Sequence, residues 1–493
     1  MITNLTLENF KGFGKLSDLQ IKPITILCGT NSCGKSSILQ SLLLLKQTVE
    51  SKNPHQNVIL NGRFVHLGNF DNIIHKKDID KPVKISFAIN IKKEEIRKVN
   101  RGQMPLTYTL KHLCPVGNSR DNDFYISISF TLKSGKSIRN TSTIKSIDVE
   151  SMQINVSAKN TDGEITQSSI KMTRIEENQY TLLWQNIPRN SYSSRLKQET
   201  SHGECTAKIA FANLIPVMID TNRQTPVIEF AFYRIRNLLQ AIFFNYQYIG
   251  PLREEPSRRY IYENEYTEVG IKGENAAFIY FEEQDKQIRN HYFFDHKTEK
   301  FAINEKVSLG KAVRSWLDLM GIKSFTPEIQ EGIIELKLNS SSSSKTQVNI
   351  ADVGFGVSQI FPIILEGIRM PKGGTLLLEQ PEIHLHPKLQ MQMADYFISL
   401  ALSGKSVIAE THSDHIVNRL VRRIVEDEEY SLLKLIKIYF IKPSKRGSTA
   451  EEIQIDERRG VINWPEDFFD QTASEQEKII RAGIKKIKKS NSL

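Results

Sequence analysis

Gly29-Thr30-Asn31-Ser32-Cys33-Gly34-Lys35-Ser36 sets a glycine at each end of a short polar loop, then a lysine and a hydroxyl. This is a phosphate-cradling pattern. Glycines let backbone N–H groups wrap phosphate oxygens without Cβ clashes, Lys35 neutralises the β- and γ-phosphates, and the Ser36 hydroxyl can ligate Mg²⁺. Asn31, Ser32, Cys33 and Ser37 complete the expected cradle; Cys33 is a small residue that fits there, with no claim to catalysis. A second feature is the apolar run Leu376-Leu377-Leu378 ending at Glu379, whose carboxylate is expected to share the Mg²⁺, followed by Gln380 and Glu382. His412 closes a third run, Ser406 to Ala409, where a strand-end histidine can reach a γ-phosphate. Gly354, Gly356 and Ser358 lead into a helix, and small residues at a helix start favour anions.

The elements around these residues read as α/β. Ile24 to Leu27 predicts a strand and Lys35 to Val49 a strongly apolar helix, so the glycine loop joins strand to helix. Thr375 to Leu378 and Ser406 to Ala409 predict further strands, with helices over Ser358 to Ile368, Pro387 to Leu402 and His415 to Val425. Residues 81–225 alternate apolar and polar positions, as in Val83 to Ile91 and Phe124 to Leu132, which predicts a β-rich insertion. A helix is expected over Pro226 to Tyr248, then a loop from Tyr248 to Tyr262 holding Arg253, Arg258 and Arg259, expected to be solvated and self-paired with Glu254 and Glu255. The serine run Ser340 to Ser344 reads as a loop within a hairpin, and the stretch after Ile441 as a polar loop. The expected segments are therefore 1–80, 81–225, 226–330, 331–445 and 446–493.

Composition excludes more than it assigns. The apolar runs Leu42 to Leu45 and Leu376 to Leu378 fall far short of the ~20 residues of a membrane helix. Four cysteines form no CxxC pair, so a disulfide scaffold or zinc module is not expected and a reducing cytoplasm is the default. A net charge of +10 permits contact with nucleic acid without demanding it. The basic tail Lys485 to Lys489, the stretch Lys92 to Arg101 and the aromatic segment Trp464 to Phe469 read as solvated or packed segments before they read as docking surfaces.

The motif order makes the chain resemble ABC-class AAA ATPase heads of the SMC, Rad50 and OLD-like branch: a P-loop NTPase head split by a β-rich and helical insertion. Leu7 to Phe13 resembles the first strand and turn of such heads, which implies that Lys11 approaches nucleotide. Gly354 to Gln359 resembles the signature motif, Glu379 to Pro387 the Walker B and D-loop, and His412 the switch histidine. The resemblance implies ATP and Mg²⁺ as ligands, with Lys35 and Ser36 from one protomer facing Gly354, Gly356 and Ser358 of another, hence a homodimer or higher homo-oligomer. Gly250-Pro251-Leu252-Arg253 and the tail Trp464 to Phe469 narrow the likeness to stand-alone bacterial ATPases. These are similar to the ATPase subunits of two-gene anti-phage systems of the Septu type, with the PARIS type second.

Against that pattern Gln380 stands where the general-base glutamate belongs. An amide orients water but cannot take its proton, so slow hydrolysis is expected, with Glu382 as the substitute base. No HNH-like cluster or Toprim-like acidic pattern is present, so the expected effector nuclease is a separate polypeptide, HNH-type before Toprim-type. A DNA-repair or chromosome-maintenance ATPase of Rad50 or SMC type is the alternative, weakened by the lack of a long heptad arm. A transport ATPase is the third.

Overall fold

The computed structural model describes residues 1–94, 106–116, 121–137, 145–188, 200–219, 226–263, 266–340, 343–354, 356–463, 465 and 471–490. Its centre is a six-stranded sheet in the order Tyr246–Ile249, Thr375–Glu379, Ser406–Glu410, Ile24–Gly29, Ile436–Ser444, Gly447–Glu452. The first five strands are parallel and the last antiparallel. The middle strands are continuous apolar runs because both faces of a parallel sheet are covered.

Successive side chains of these strands enter opposite cores. Leu27, Leu377, Ile408 and Tyr439 face a core shared with Ile38, Leu42 and Leu45 of the Lys35–Val49 helix. Ile26, Leu376, Leu378, Val407 and Ile438 face the other, which contains side chains of the helices Gly356–Arg369, Pro387–Leu402 and Asp414–Glu426. Each fully buried leucine or isoleucine contributes on the order of 1.5–3 kcal/mol, so the strands that carry the motifs are among the most firmly held parts of the chain.

The β-rich segment does not stand apart. A nine-stranded antiparallel sheet runs from Phe13–Gln20 through Ile2–Phe10 and Val83–Ile91 to Thr200–Ala212 and Ile215–Met218. The opening strand of the chain is thus paired on one side with its own hairpin and on the other with the first strand of the insertion. The far end returns to the centre. Asn213 and Leu214, at the last turn of the sheet, donate backbone N–H groups to Gln56 and Asn57, just beyond the Lys35–Val49 helix.

Two local expectations are corrected. The helix from Pro226 ends at Phe244, and Tyr246–Ile249 is the edge strand of the central sheet, held by parallel pairing with Thr375–Leu378. The stretch after Ile441 is an antiparallel hairpin, with Lys437 and Lys442 ion-paired to Glu452 and Glu451 across it. Gln287–Asp295 and Lys300–Ser308 form a further hairpin ahead of the helix Leu309–Leu319. Most of Lys92 to Arg101, all of Trp464 to Phe469 except Pro465, Ser341, Ser342, Phe355 and the side chains of Lys485 to Lys489 lie outside the described residues. Among the described residues no helix is long and apolar enough to cross a membrane.

Candidate active site

The glycine loop connects the strand Ile24–Gly29 to the helix Lys35–Val49. Two of its backbone positions require glycine. Gly29 has φ 144°, and a Cβ there would lie 2.1 Å from the Ile441 carbonyl oxygen of the neighbouring strand. Gly34 has φ 101°, with Ser448 Oγ 2.9 Å from where a Cβ would stand. Lys35 is only 3% exposed, and its Nζ donates to the carbonyls of Gly29 at 3.0 Å and Thr30 at 2.7 Å. The ammonium is therefore held inside the loop, over its own backbone. Cys33 is buried in the apolar core, in keeping with a packing role.

The carboxyl ends of the adjacent parallel strands bring the acidic residues to this loop. Glu379 and Glu410 are direct register partners. Burial raises the Glu379 carboxyl, opposed by the Tyr248 hydroxyl, which donates to Oε1 at 2.9 Å, and by the nearby Lys11 ammonium. Lys11 sits in a left-handed turn, φ 50°, its own pKa lowered by burial, and its Nζ donates to Gln40 of the P-loop helix. Glu410 is 5% exposed and pushed up to about 6, chiefly by burial; the Ser36 hydroxyl beside it works the other way. Its Oε2 is buried with no hydrogen-bond partner.

The turn after Glu379 is clamped from two sides. Gln380 adopts φ 46° and donates its N–H to the Glu410 carbonyl at 2.8 Å. Arg253, 6% exposed, donates through Nη2 to the carbonyls of Glu379 and Gln380 at 3.2 and 3.1 Å. Burial lowers its pKa to about 10. The expectation of a solvated, self-paired loop is thus corrected: Arg253 is buried against the turn, and Arg258 pairs with Asp352. Glu382 turns both carboxylate oxygens toward the next loop, accepting from the Thr411 hydroxyl at 2.8 Å and the His412 N–H at 2.7 Å. His412 is half-buried, its pKa lowered by burial and then by Lys35. His386 caps the helix Pro387–Leu402, its ring nitrogen accepting from the Lys388 N–H.

Lys11, Lys35, Ser36, Glu379, Gln380, Glu382 and His412 therefore converge. The remaining predicted group does not join them: Ser358 lines a separate small cavity with Glu254, Lys272 and Phe361, and no P-loop residue borders it. Gly354 is exposed, and Gly356 opens the helix that carries Ser358. Two residues of the site carried no motif signal of their own, Tyr248 and Glu410, while Arg253 was marked only as the end of the loop Gly250 to Arg253, with no role at this turn. Glu410 was legible only as an acid closing an otherwise apolar run, Ser406-Val407-Ile408-Ala409.

The family described as AAA ATPase domain matches residues 1–417. The chain belongs to that family. A second family, described as a protein of unknown function, matches residues 434–479 of this AAA ATPase, the stretch that supplies Ser448 to the back of the glycine loop. No curated protein matches it. Among solved structures it is similar to a Smc head bound to the C-terminal winged-helix domain of ScpA, at 11% identity over 92% of this chain and 98% of that one, TM-score 0.37. It is also similar to the SMC head domain from Thermotoga maritima, at 9% identity over 92% and 99%, TM-score 0.36. A Smc head with an extended coiled coil, bound to the C-terminal domain of ScpA derived from Pyrococcus furiosus, gives 9% identity over 97% and 99%, TM-score 0.34.

Proposed function

We propose that this AAA ATPase is a nucleotide-driven switch whose competent site is shared by two copies of the chain. The observation supporting it is the split just described: the P-loop, both strand-end glutamates and His412 meet in one place, while Ser358 opens on another cavity. Lys35 binds the β- and γ-phosphates, which compete with the Gly29 and Thr30 carbonyls for its ammonium. The glycine cradle and the unpartnered Glu410 oxygen beside Ser36 fit a divalent cation on the nucleotide. Ser36 and Glu379 would hold that Mg²⁺, which supplies positive charge to the phosphoryl oxygens. Among the described residues no three His, Cys, Asp or Glu side chains form a group that could hold a metal ion.

Gln380 orients the attacking water through its amide, and its position is fixed by the Glu410 carbonyl and Arg253. With no carboxylate at that position hydrolysis is slow, by about 10²–10⁴-fold relative to a site with a placed base. His412 contacts the γ-phosphate, and its N–H bond to Glu382 links that contact to the turn. The partner copy brings Gly354, Gly356 and Ser358 to the same phosphate from the start of their helix.

A slow, dimer-forming ATPase suits regulation better than metabolism. The motif resemblance supports a cytoplasmic regulatory subunit of an anti-phage complex, controlling a separately encoded effector nuclease, HNH-type first. The shared site is tested by mixing two inactive chains. Lys35→Ala and Ser358→Arg chains are each expected to lack ATPase activity, and their mixture to regain part of it through one intact composite site. A mixture no more active than its components rules out the shared site. Co-purification with the product of the adjacent gene, with and without ATP, tests the effector.

A further inference from the structure

Glu410 is the residue that the motifs leave unexplained. It closes a strand whose other residues, Ser406 to Ala409, are all buried, and it lies in register between Glu379 on one side and Leu27 on the other. Neighbouring strands lie about 4.8 Å apart, so two carboxylates on adjacent strand ends repel unless a cation stands by them. Lys11 favours the charged form of Glu379, and Lys35 that of Glu410. Yet Oε2 of Glu410 is buried without a partner, and an orphaned buried acceptor of that kind is unfavourable. The Ser36 hydroxyl lies against the same carboxylate.

We propose, on the reading that the P-loop takes ATP with a divalent cation, that Glu410 is a positioning residue for that cation. It accepts the Ser36 O–H, so that the Ser36 oxygen presents its lone pairs to the metal. Its free oxygen would accept from a water of the bound cation. The group thus works through Ser36 and water and does not touch the transferred phosphoryl. Outer partners of this type are typically worth about 10–100-fold in metal affinity.

The test uses the full chain, Mn²⁺ as the probe and a non-hydrolysable ATP analogue, with bound Mn²⁺ counted by electron paramagnetic resonance. Glu410→Gln is expected to weaken Mn²⁺ binding in the ternary complex about 10-fold or more. Analogue affinity without metal should stay within about two-fold, since Lys35 and the loop are untouched. Glu410→Asp keeps the charge and should fall between, which covers the case where the glutamine variant does not fold. Unchanged Mn²⁺ affinity in a folded Glu410→Gln chain that still binds the analogue overturns the assignment. A wild-type chain that binds no analogue, matching a Lys35→Ala control, overturns the underlying reading and this proposal with it.

Discussion

Tyr248 holds Glu379: its hydroxyl donates to Oε1 across 2.9 Å from the edge strand next to the one that carries the glutamate. Burial raises the tyrosine pKa, and Glu379 raises it further, so the hydroxyl keeps its proton and remains a donor. A carboxylate fixed in this way is oriented before any ligand arrives.

Tyr248→Phe removes that donor with little change in shape. A hydrogen bond to a charged group is worth about 1.5–3 kcal/mol, so the turnover rate should drop by roughly 10–100-fold. Metal-free nucleotide affinity should be unaffected. Steady-state ATPase assays beside equilibrium binding separate the two, and equal losses in both would point to general disruption.

Gln380 and Glu382 make opposite predictions. Gln380→Glu restores a proton acceptor and should speed single-turnover hydrolysis by at least about 10-fold. Glu382→Gln leaves only one carbonyl oxygen for both Thr411 and the His412 N–H, so it should slow hydrolysis by loosening that loop. If Gln380→Glu is no faster than wild type, the slow-switch reading fails.

Gly12 and Gly34 meet at Ser448. A Cβ on Gly12 would lie 2.8 Å from Ser448 Oγ, and the Ser448 N–H donates to the Gly12 carbonyl at 2.7 Å. Gly12→Ala should cost about 1–3 kcal/mol by overpacking. Adding Ser448→Ala removes the offending oxygen and should recover most of it. Denaturant unfolding of the two single variants and the double gives the coupling; simple additivity would show that the clash is not the cause.

His291 gives a pH dependence remote from the site. Burial, then the Lys405 ammonium, lower its pKa from 6.5 to about 3, and Trp316 Nε1 donates to its Nε2. The unfolded chain takes a proton there below about pH 6.5 while the folded chain stays neutral. This contribution to stability is therefore present above that pH and lost as pH falls toward 3, with a slope of up to ~1.4 kcal/mol per pH unit. His291→Gln keeps an acceptor for Trp316 and should flatten the slope between pH 7 and 5. Denaturant midpoints measured across that interval check it.

Much of the centre was readable because its signals are local. Ile24–Cys28, Thr375–Leu378 and Ser406–Glu410 are unbroken buried runs, and the glycine loop announces its own conformation. Tyr246–Ile249 was not readable: Phe243-Phe244-Asn245-Tyr246 continues an apolar helical pattern, and only pairing with a strand far along the chain makes it extended. Tyr248 was hidden with it, and Arg253, though part of the recognised loop Gly250 to Arg253, gave no sign that it is buried on two carbonyls. Glu410 was masked by the more familiar histidine two residues on. That the insertion shares a sheet with Ile2–Phe10 is a choice of pairing partner, which alternation of polarity cannot encode.

The nine-stranded sheet is anchored near both of its edges and is not an arm. One anchor is the turn at Lys11, beside Glu379; the other is the Asn213–Leu214 turn, hydrogen-bonded to Gln56 and Asn57 just after the P-loop helix. An appendage with a free tip can swing without disturbing its root. A sheet anchored near both edges has no such free tip: shifting either edge strand acts on residues next to the nucleotide site or its helix.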